Sequence, residues 1–121
     1  MELVRTVPIL TVADLDTAVQ TYTALLGVDV LMNHGWIATL GNASESGDGT
    51  AQLSVMTTDA TASVNPSVSL QVPDVDAAYA RAVSDGLEIV HPLCDELWGV
   101  RRFFFRDADG NVINVLSHRG G

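Results

Sequence analysis

Hydrophobic and polar positions alternate along this chain with two different periods. In "DLDTAVQTYTALLG" the apolar residues Leu15, Ala18, Val19, Tyr22, Leu25 and Leu26 recur every three to four positions. That spacing predicts a helix with Asp14 as its N-cap. In "DVDAAYARAVSDG" the residues Val75, Ala78, Tyr79, Ala82 and Val83 repeat the pattern behind Asp74. Gly27 and Gly86 close the two helices, as glycine enters the left-handed conformation at little cost. Elsewhere β-rich runs, several with period-two alternation, predict strands over 4–12, 28–32, 36–40, 51–57, 67–72, 88–90, 100–106 and 112–117. The segment 41–49, "GNASESGDG", is expected to be a hairpin loop, and 58–66 a linker.

The pattern repeats. Val12, Asp14, Asp16 and Ala18 fall on Val72, Asp74, Asp76 and Ala78 at an offset of 60, and Gly27, Val28, Asp29 and Val30 fall on Gly86, Leu87, Glu88 and Ile89 at an offset of 59. A period of half the chain predicts two similar modules of strand, helix and further strands, 1–57 and 67–121, within one domain.

Strand parity then sorts faces. Phe103, Phe105, Ile113 and Val115 are apolar, whereas Arg102, Phe104, Arg106 and Asn114 form a mixed set. One face is expected to pack on the helices and the other to line a cavity. Asn114 is the polar intruder in "NVINVLSH".

Composition narrows the field. A 121-residue chain that is 47% hydrophobic suits one compact α+β domain with a real core. Its net charge of −9 argues against nucleic acid and permits a cationic ligand. No run approaches a membrane span, and the start lacks the marks of a signal peptide. A single cysteine, Cys94, makes a cytoplasmic location the expectation.

Two βαβββ modules, with "DADGN" in the last hairpin, resemble the vicinal oxygen chelate superfamily, which includes glyoxalase I, extradiol dioxygenases and bleomycin-binding resistance proteins. The resemblance covers nearly the whole chain. It implies a half-open barrel, usually completed in a homodimer. It also implies metal-ligand positions, which here are Val7 and Ser67, five residues before Val12 and Val72, Asn114, four after Gly110, and Gln52. A divalent cation wants imidazole or carboxylate donors with negative charge. Valine offers none, and serine, glutamine and asparagine offer neutral oxygen, so no metal and no cofactor are expected there.

Other residues have competing readings. "DADGN" reads as turn chemistry, with Gly110 at positive φ. His34, His91 and His118 show no ligand spacing, and Pro92 excludes a helical pairing of His91 with Asp95. Cys94 lacks a recognisable base in the sequence. Trp36, at the head of the even positions Trp36, Ala38 and Leu40, and Trp98, beside Asp95 and Glu96, suit either packing or stacking on a flat cationic ligand. Arg102 suits an anionic group or an internal salt bridge.

The expectation is a metal-independent small-molecule-binding protein, with Trp36, Gln52, Ser67, Trp98, Arg102, Phe104 and Asn114 as one ligand site and no catalytic residue. The ligand is a small organic molecule, planar and cationic in the leading reading. The alternative is a lyase, isomerase or dioxygenase of the same superfamily, using unusual metal ligands or acid–base catalysis without a metal.

Overall fold

The computed structural model describes residues 1–43 and 51–118. Most of the predicted 41–49 loop thus lies outside the described residues. In chain order the elements are β1 (Arg5–Thr11), α1 (Leu15–Leu26), β2 (Asp29–Asn33), β3 (Ile37–Gly41), β4 (Gln52–Met56), β5 (Val68–Gln71), α2 (Val75–Ser84), β6 (Glu88–Asp95), β7 (Val100–Arg106) and β8 (Val112–His118). This is an α+β fold of two βαβββ modules. Neither helix is long and apolar enough to cross a membrane.

The chain divides into two compact units, Val7–Thr61 and a second made of Met1–Thr6 with Ala62–Gly121. The division at 61/62 falls inside the expected linker. The first six residues, however, group with the second half, where the Val4 amide donates to the Gln71 carbonyl at 2.8 Å. A β-strand edge captures whatever extended backbone lies beside it, and chain order does not enter that choice.

In the Val7–Thr61 unit the strand order is β2-β3-β4-β1, with β1 parallel to β4. In the C-terminal unit the order is β5-β8-β7-β6, with β5 parallel to β8. Both helices start the same way: Asp14 Oδ1 accepts from Thr17 N and Asp74 Oδ1 from Ala77 N, each at 3.0 Å. Gly27, at φ 67°, ends α1 as expected. For α2 the cap is Asp85 in a right-handed conformation, and the left-handed residue is Gly86 immediately after it.

Each helix lies on one face of its own sheet. Leu15 and Ala18 pack with Ala38 and Val55, joined by Val12, Val19 and Tyr22. Val75 and Ala82 pack with Val72, Phe103 and Val115, joined by Ala78, Tyr79, Ile89, Phe105 and Ile113. Phe103 is 1% exposed and meets the Tyr79 ring edge-on at 5.0 Å. Burying one such ring contributes about 2–3 kcal/mol.

Two expectations change. Ala38 pairs with Val55 and both belong to the α1 core, so the even positions of β3 face α1 and not a cavity on the opposite side. Trp36, which shares that parity, precedes the strand and is half-buried. The segment 88–90 extends through Asp95, because β6 pairs with β7 across two register shifts, between Ile89 and His91 and between His91 and Cys94. Pro92 cannot donate to a ladder, and the irregular stretch of a terminal strand is where a proline is tolerated.

Candidate functional site

The C-terminal unit carries the more polar of the two sheets. Its helix-distal face holds Arg102 and Phe104 on β7, and Asn114 lies directly opposite Phe104 on β8. All three are buried, at 5%, 0% and 6% exposure. A polar side chain with so little water must find partners inside the protein.

Arg102 finds Glu96. Its Nε donates to Glu96 Oε1 at 3.2 Å, with both side chains buried. The guanidinium also lies over two rings, 4.9 Å from the Trp98 centroid and 4.8 Å from that of Phe104. The internal salt bridge, one of two readings for Arg102, is therefore present. The cationic partner expected for Trp98 is already supplied by the chain itself. Phe104, also in contact with the His91 ring at 5.0 Å, is wholly enclosed in the protein by itself.

Glu96 draws in two more groups. Cys94 Sγ donates to Glu96 Oε1 at 3.0 Å, and His91 Nε2 stands 3.6 Å from the same oxygen. Burial, reinforced by the Glu96 hydrogen bond and charge, pushes the Cys94 thiol up to about 11. Such a thiol is protonated at neutral pH and a poor nucleophile.

Sequence spacing concealed this grouping. Residues 91 and 94 of a regular strand point to opposite faces. Here His91 pairs with Phe104 and Cys94 with Arg102, two β7 residues of one parity, so the intervening bulge adds one residue and brings both to the same side. Glu96, two beyond Cys94, follows in the turn, where its N–H donates to the Val100 carbonyl at 2.8 Å. The proline at 92 was the only signal available beforehand.

Asn114 resolves differently. Its Nδ2 donates to Ser69 Oγ at 2.9 Å, across the pairing of β5 with β8. Ser67, the residue expected at the site, lies on the same parity but is exposed, while Ser69 makes the contact. Asn114 Oδ1 and Gln71 Oε1 are buried and have no hydrogen-bond partner among the described residues. Gln71 and Asn114 are diagonal neighbours on this face, two residues along β5 from the Ser69–Asn114 pair.

Two remaining nominated residues belong to the other unit. Thr57 N donates to the Trp36 carbonyl at one end of the β3–β4 ladder, and Gln52 pairs with Gly41 at the other. Five residue steps, about 17 Å, separate those ends. The structure therefore does not bring Trp36 and Gln52 together. Gln52 instead borders an apolar pocket of about 220 Å³ with Tyr22, Leu26, Val28, Leu40 and Leu53. Val7 is buried in β1.

The "DADGN" segment is turn chemistry. Asp107 Oδ1 accepts from Asp109 N and Asn111 N, its Oδ2 accepts from Asn111 Nδ2, and Gly110 has φ 89°. The Asn111 side chain first, then backbone N–H groups, hold the Asp107 carboxyl below its ordinary value. His34 and His118 are exposed.

The sequence model of the Glyoxalase/Bleomycin resistance protein/Dioxygenase superfamily matches residues 3–115. The chain belongs to that superfamily. No curated protein matches it. Solved structures with the same fold include a Legionella pneumophila protein described as an NAD-dependent benzaldehyde dehydrogenase, with 15% identity, TM-score 0.71 and coverage of 94% of this chain and 99% of that one. A superfamily member from Vibrio splendidus has 19% identity, TM-score 0.68 and coverage of 93% and 97%. Methylmalonyl-CoA epimerase from Mycobacterium tuberculosis has 21% identity, TM-score 0.69 and coverage of 98% and 88%. Such different descriptions on one fold leave function to the residues of the site.

The superfamily resemblance implies a divalent ion at the positions held by Val7, Gln52, Ser67 and Asn114. These residues do not fit one. Val7 has no donor atom, Ser67 is exposed, and the Asn114 amide donates to Ser69. The set carries no negative charge to offset dehydration of the ion.

Proposed function

We propose that this superfamily member binds a small organic molecule without a divalent ion at the superfamily's chelate positions. The observation that supports the reading is the pair of buried, unpartnered carbonyl oxygens on Asn114 and Gln71. A buried acceptor left unpaired costs about 1–3 kcal/mol, which a ligand bearing N–H or O–H groups would recover on binding. The ligand is accordingly a hydrogen-bond donor on the side that meets Asn114. A flat cation on the Trp98 ring competes with Arg102, which already lies over that ring. A neutral or cationic amine reaching Asn114 is thus favoured over a dye-like cation held by stacking alone. The net charge of −9 helps a cationic ligand approach at long range. The protein acts as a homodimer in this proposal: edge strand β2 exposes Val30 and Leu31, and the end of α1 exposes Leu25 and Leu26.

The test is a binding screen of flat organic amines against protein prepared without added metal, read by tryptophan fluorescence and native mass spectrometry. Asn114→Leu should weaken each hit about 5- to 150-fold, the equivalent of a lost buried hydrogen bond. Trp98→Ala should weaken it less. Hits that bind Asn114→Leu as well as the parent protein would sink this reading. Catalytic turnover of a hit would move the protein to the enzyme class.

A further inference from the structure

The group formed by His91, Cys94 and Glu96 lies off the superfamily's chelate positions, and the ligand reading above makes no use of it. Nitrogen, sulfur and oxygen donors from these three side chains all lie within 4.8 Å of one another. The His91 and Glu96 side chains are each 8% exposed. From the geometry we infer that this group is a binding site for a thiophilic divalent cation of the Zn²⁺ type.

Three features carry the inference. The first is spacing. A tetrahedral ion with bonds of about 2.0–2.3 Å holds its donors about 3.4–3.6 Å apart. Glu96 Oε1 stands 3.0 Å from Cys94 Sγ and 3.6 Å from His91 Nε2, so sub-ångström movements suffice along both edges that meet at the carboxylate.

The second is the orientation of the imidazole. His91 Nδ1 lies 2.8 Å from the Pro92 carbonyl, which can only accept, so Nδ1 carries the proton. Nε2 is then the nitrogen left to a metal, and it faces Glu96 Oε1 at 3.6 Å. Metal-bound histidines characteristically donate their second nitrogen to a carbonyl or carboxylate, which fixes the tautomer in this way.

The third is construction. The β6 bulge turns His91 to the same side as Cys94, and the 96–99 turn returns Glu96 beneath them, with Gly99 at φ 91°. Residues from one short segment are thereby held on a hydrogen-bonded hairpin.

Sulfur selects the ion. Mg²⁺ and Ca²⁺ prefer oxygen ligands, whereas thiolate and imidazole suit Zn²⁺ and its surrogates Co²⁺ and Cd²⁺. On binding, the Cys94 S–H bond breaks, the proton leaves to solvent and the sulfur lone pair forms the metal bond. Three protein donors leave a fourth position open, the arrangement of sites that exchange an outer ligand. Arg102, 3.2 Å from Glu96 Oε1, adds opposing positive charge and limits affinity. The Glu96 carboxylate and the new thiolate supply two negative charges against it.

The test uses the full-length protein titrated with Co²⁺ under reducing conditions, then with Zn²⁺ as competitor. The expected result is one Co²⁺ per chain, a thiolate-to-metal charge-transfer band, visible bands of tetrahedral intensity, and their loss on adding Zn²⁺. Cys94→Ser should abolish the charge-transfer band. His91→Gln and Glu96→Gln should each weaken binding at least tenfold, with folding checked by circular dichroism. If Glu96→Gln unfolds, His91→Gln alone decides. Absence of the band at millimolar Co²⁺ would overturn the site. So would a band of unchanged affinity in His91→Gln, which would mean that the thiol binds metal alone. Neither result bears on amine binding at Asn114, so the two readings fail separately.

Discussion

The two modules share a plan and divide the work. Each has an Asp-capped helix over one face of a four-stranded sheet and one parallel pair, β1 with β4 or β5 with β8. In the first module the helix-distal parity of β3 and β4 carries a modest hydroxyl pair, Thr39 with Ser54 at 2.8 Å. In the second, the same kind of face buries Arg102 and Asn114, with Glu96 and His91 beside them. The scaffold was preserved through the repeat while polar chemistry was concentrated in one copy. A repeated fold tolerates this because the helix-facing residues supply the hydrophobic stabilisation, and the opposite face is then free to vary.

The largest expected effect separates the two cores. Phe104→Ala removes a fully buried ring against which Arg102 and His91 pack, and should destabilise by about 3–5 kcal/mol. Leu40→Ala, in the first module, should cost less, in the lower part of about 2–5 kcal/mol. Leu40 already borders a pocket, so fewer close contacts are lost and the added cavity is shared. Urea denaturation of both variants checks the order. A larger loss at Leu40 would mean that the first module holds the tighter core.

A smaller effect tests the equivalence of the scaffolds. Asp14→Ala and Asp74→Ala each remove one 3.0 Å cap and should each cost about 1 kcal/mol, with the double variant additive to within about 0.5 kcal/mol. Unequal losses measured by thermal unfolding would show that the helices are not interchangeable parts.

The smallest effect belongs to the 107–111 turn, whose sequence has no copy in the first half. The Asp107 carboxyl is held below its ordinary value of 3.8 by Asn111 and neighbouring N–H groups. A lowered folded-state value means stability that is present above pH 3.8 and lost as pH falls through the folded value. Asp107→Asn should therefore lower stability slightly above that pH and flatten the acid limb, so that variant and parent converge as pH falls through the folded value. An identical acid limb in an acid-unfolding titration would remove Asp107 from the account.

The sequence by itself determined the scaffold. Its repeat, its two Asp caps and its alternating strands are local signals, written in residues near one another, and they placed both helices and all eight strands to within a few residues except along β6. Parity also put Phe103 and Val115 against α2, and Arg102 and Asn114 on the far face. What only the tertiary structure decided depends on a one-residue bulge or on partners far apart in the chain. The β6 bulge reversed the parity that spacing gave to His91 and assembled it with Cys94 and Glu96. Asn114 chose Ser69 across 45 positions, and Arg102 covered the Trp98 ring that was free for a ligand in the sequence reading. A single extra residue flips every side chain beyond it, and burial decides which of several equivalent partners a polar group takes. Neither choice is contained in composition or spacing.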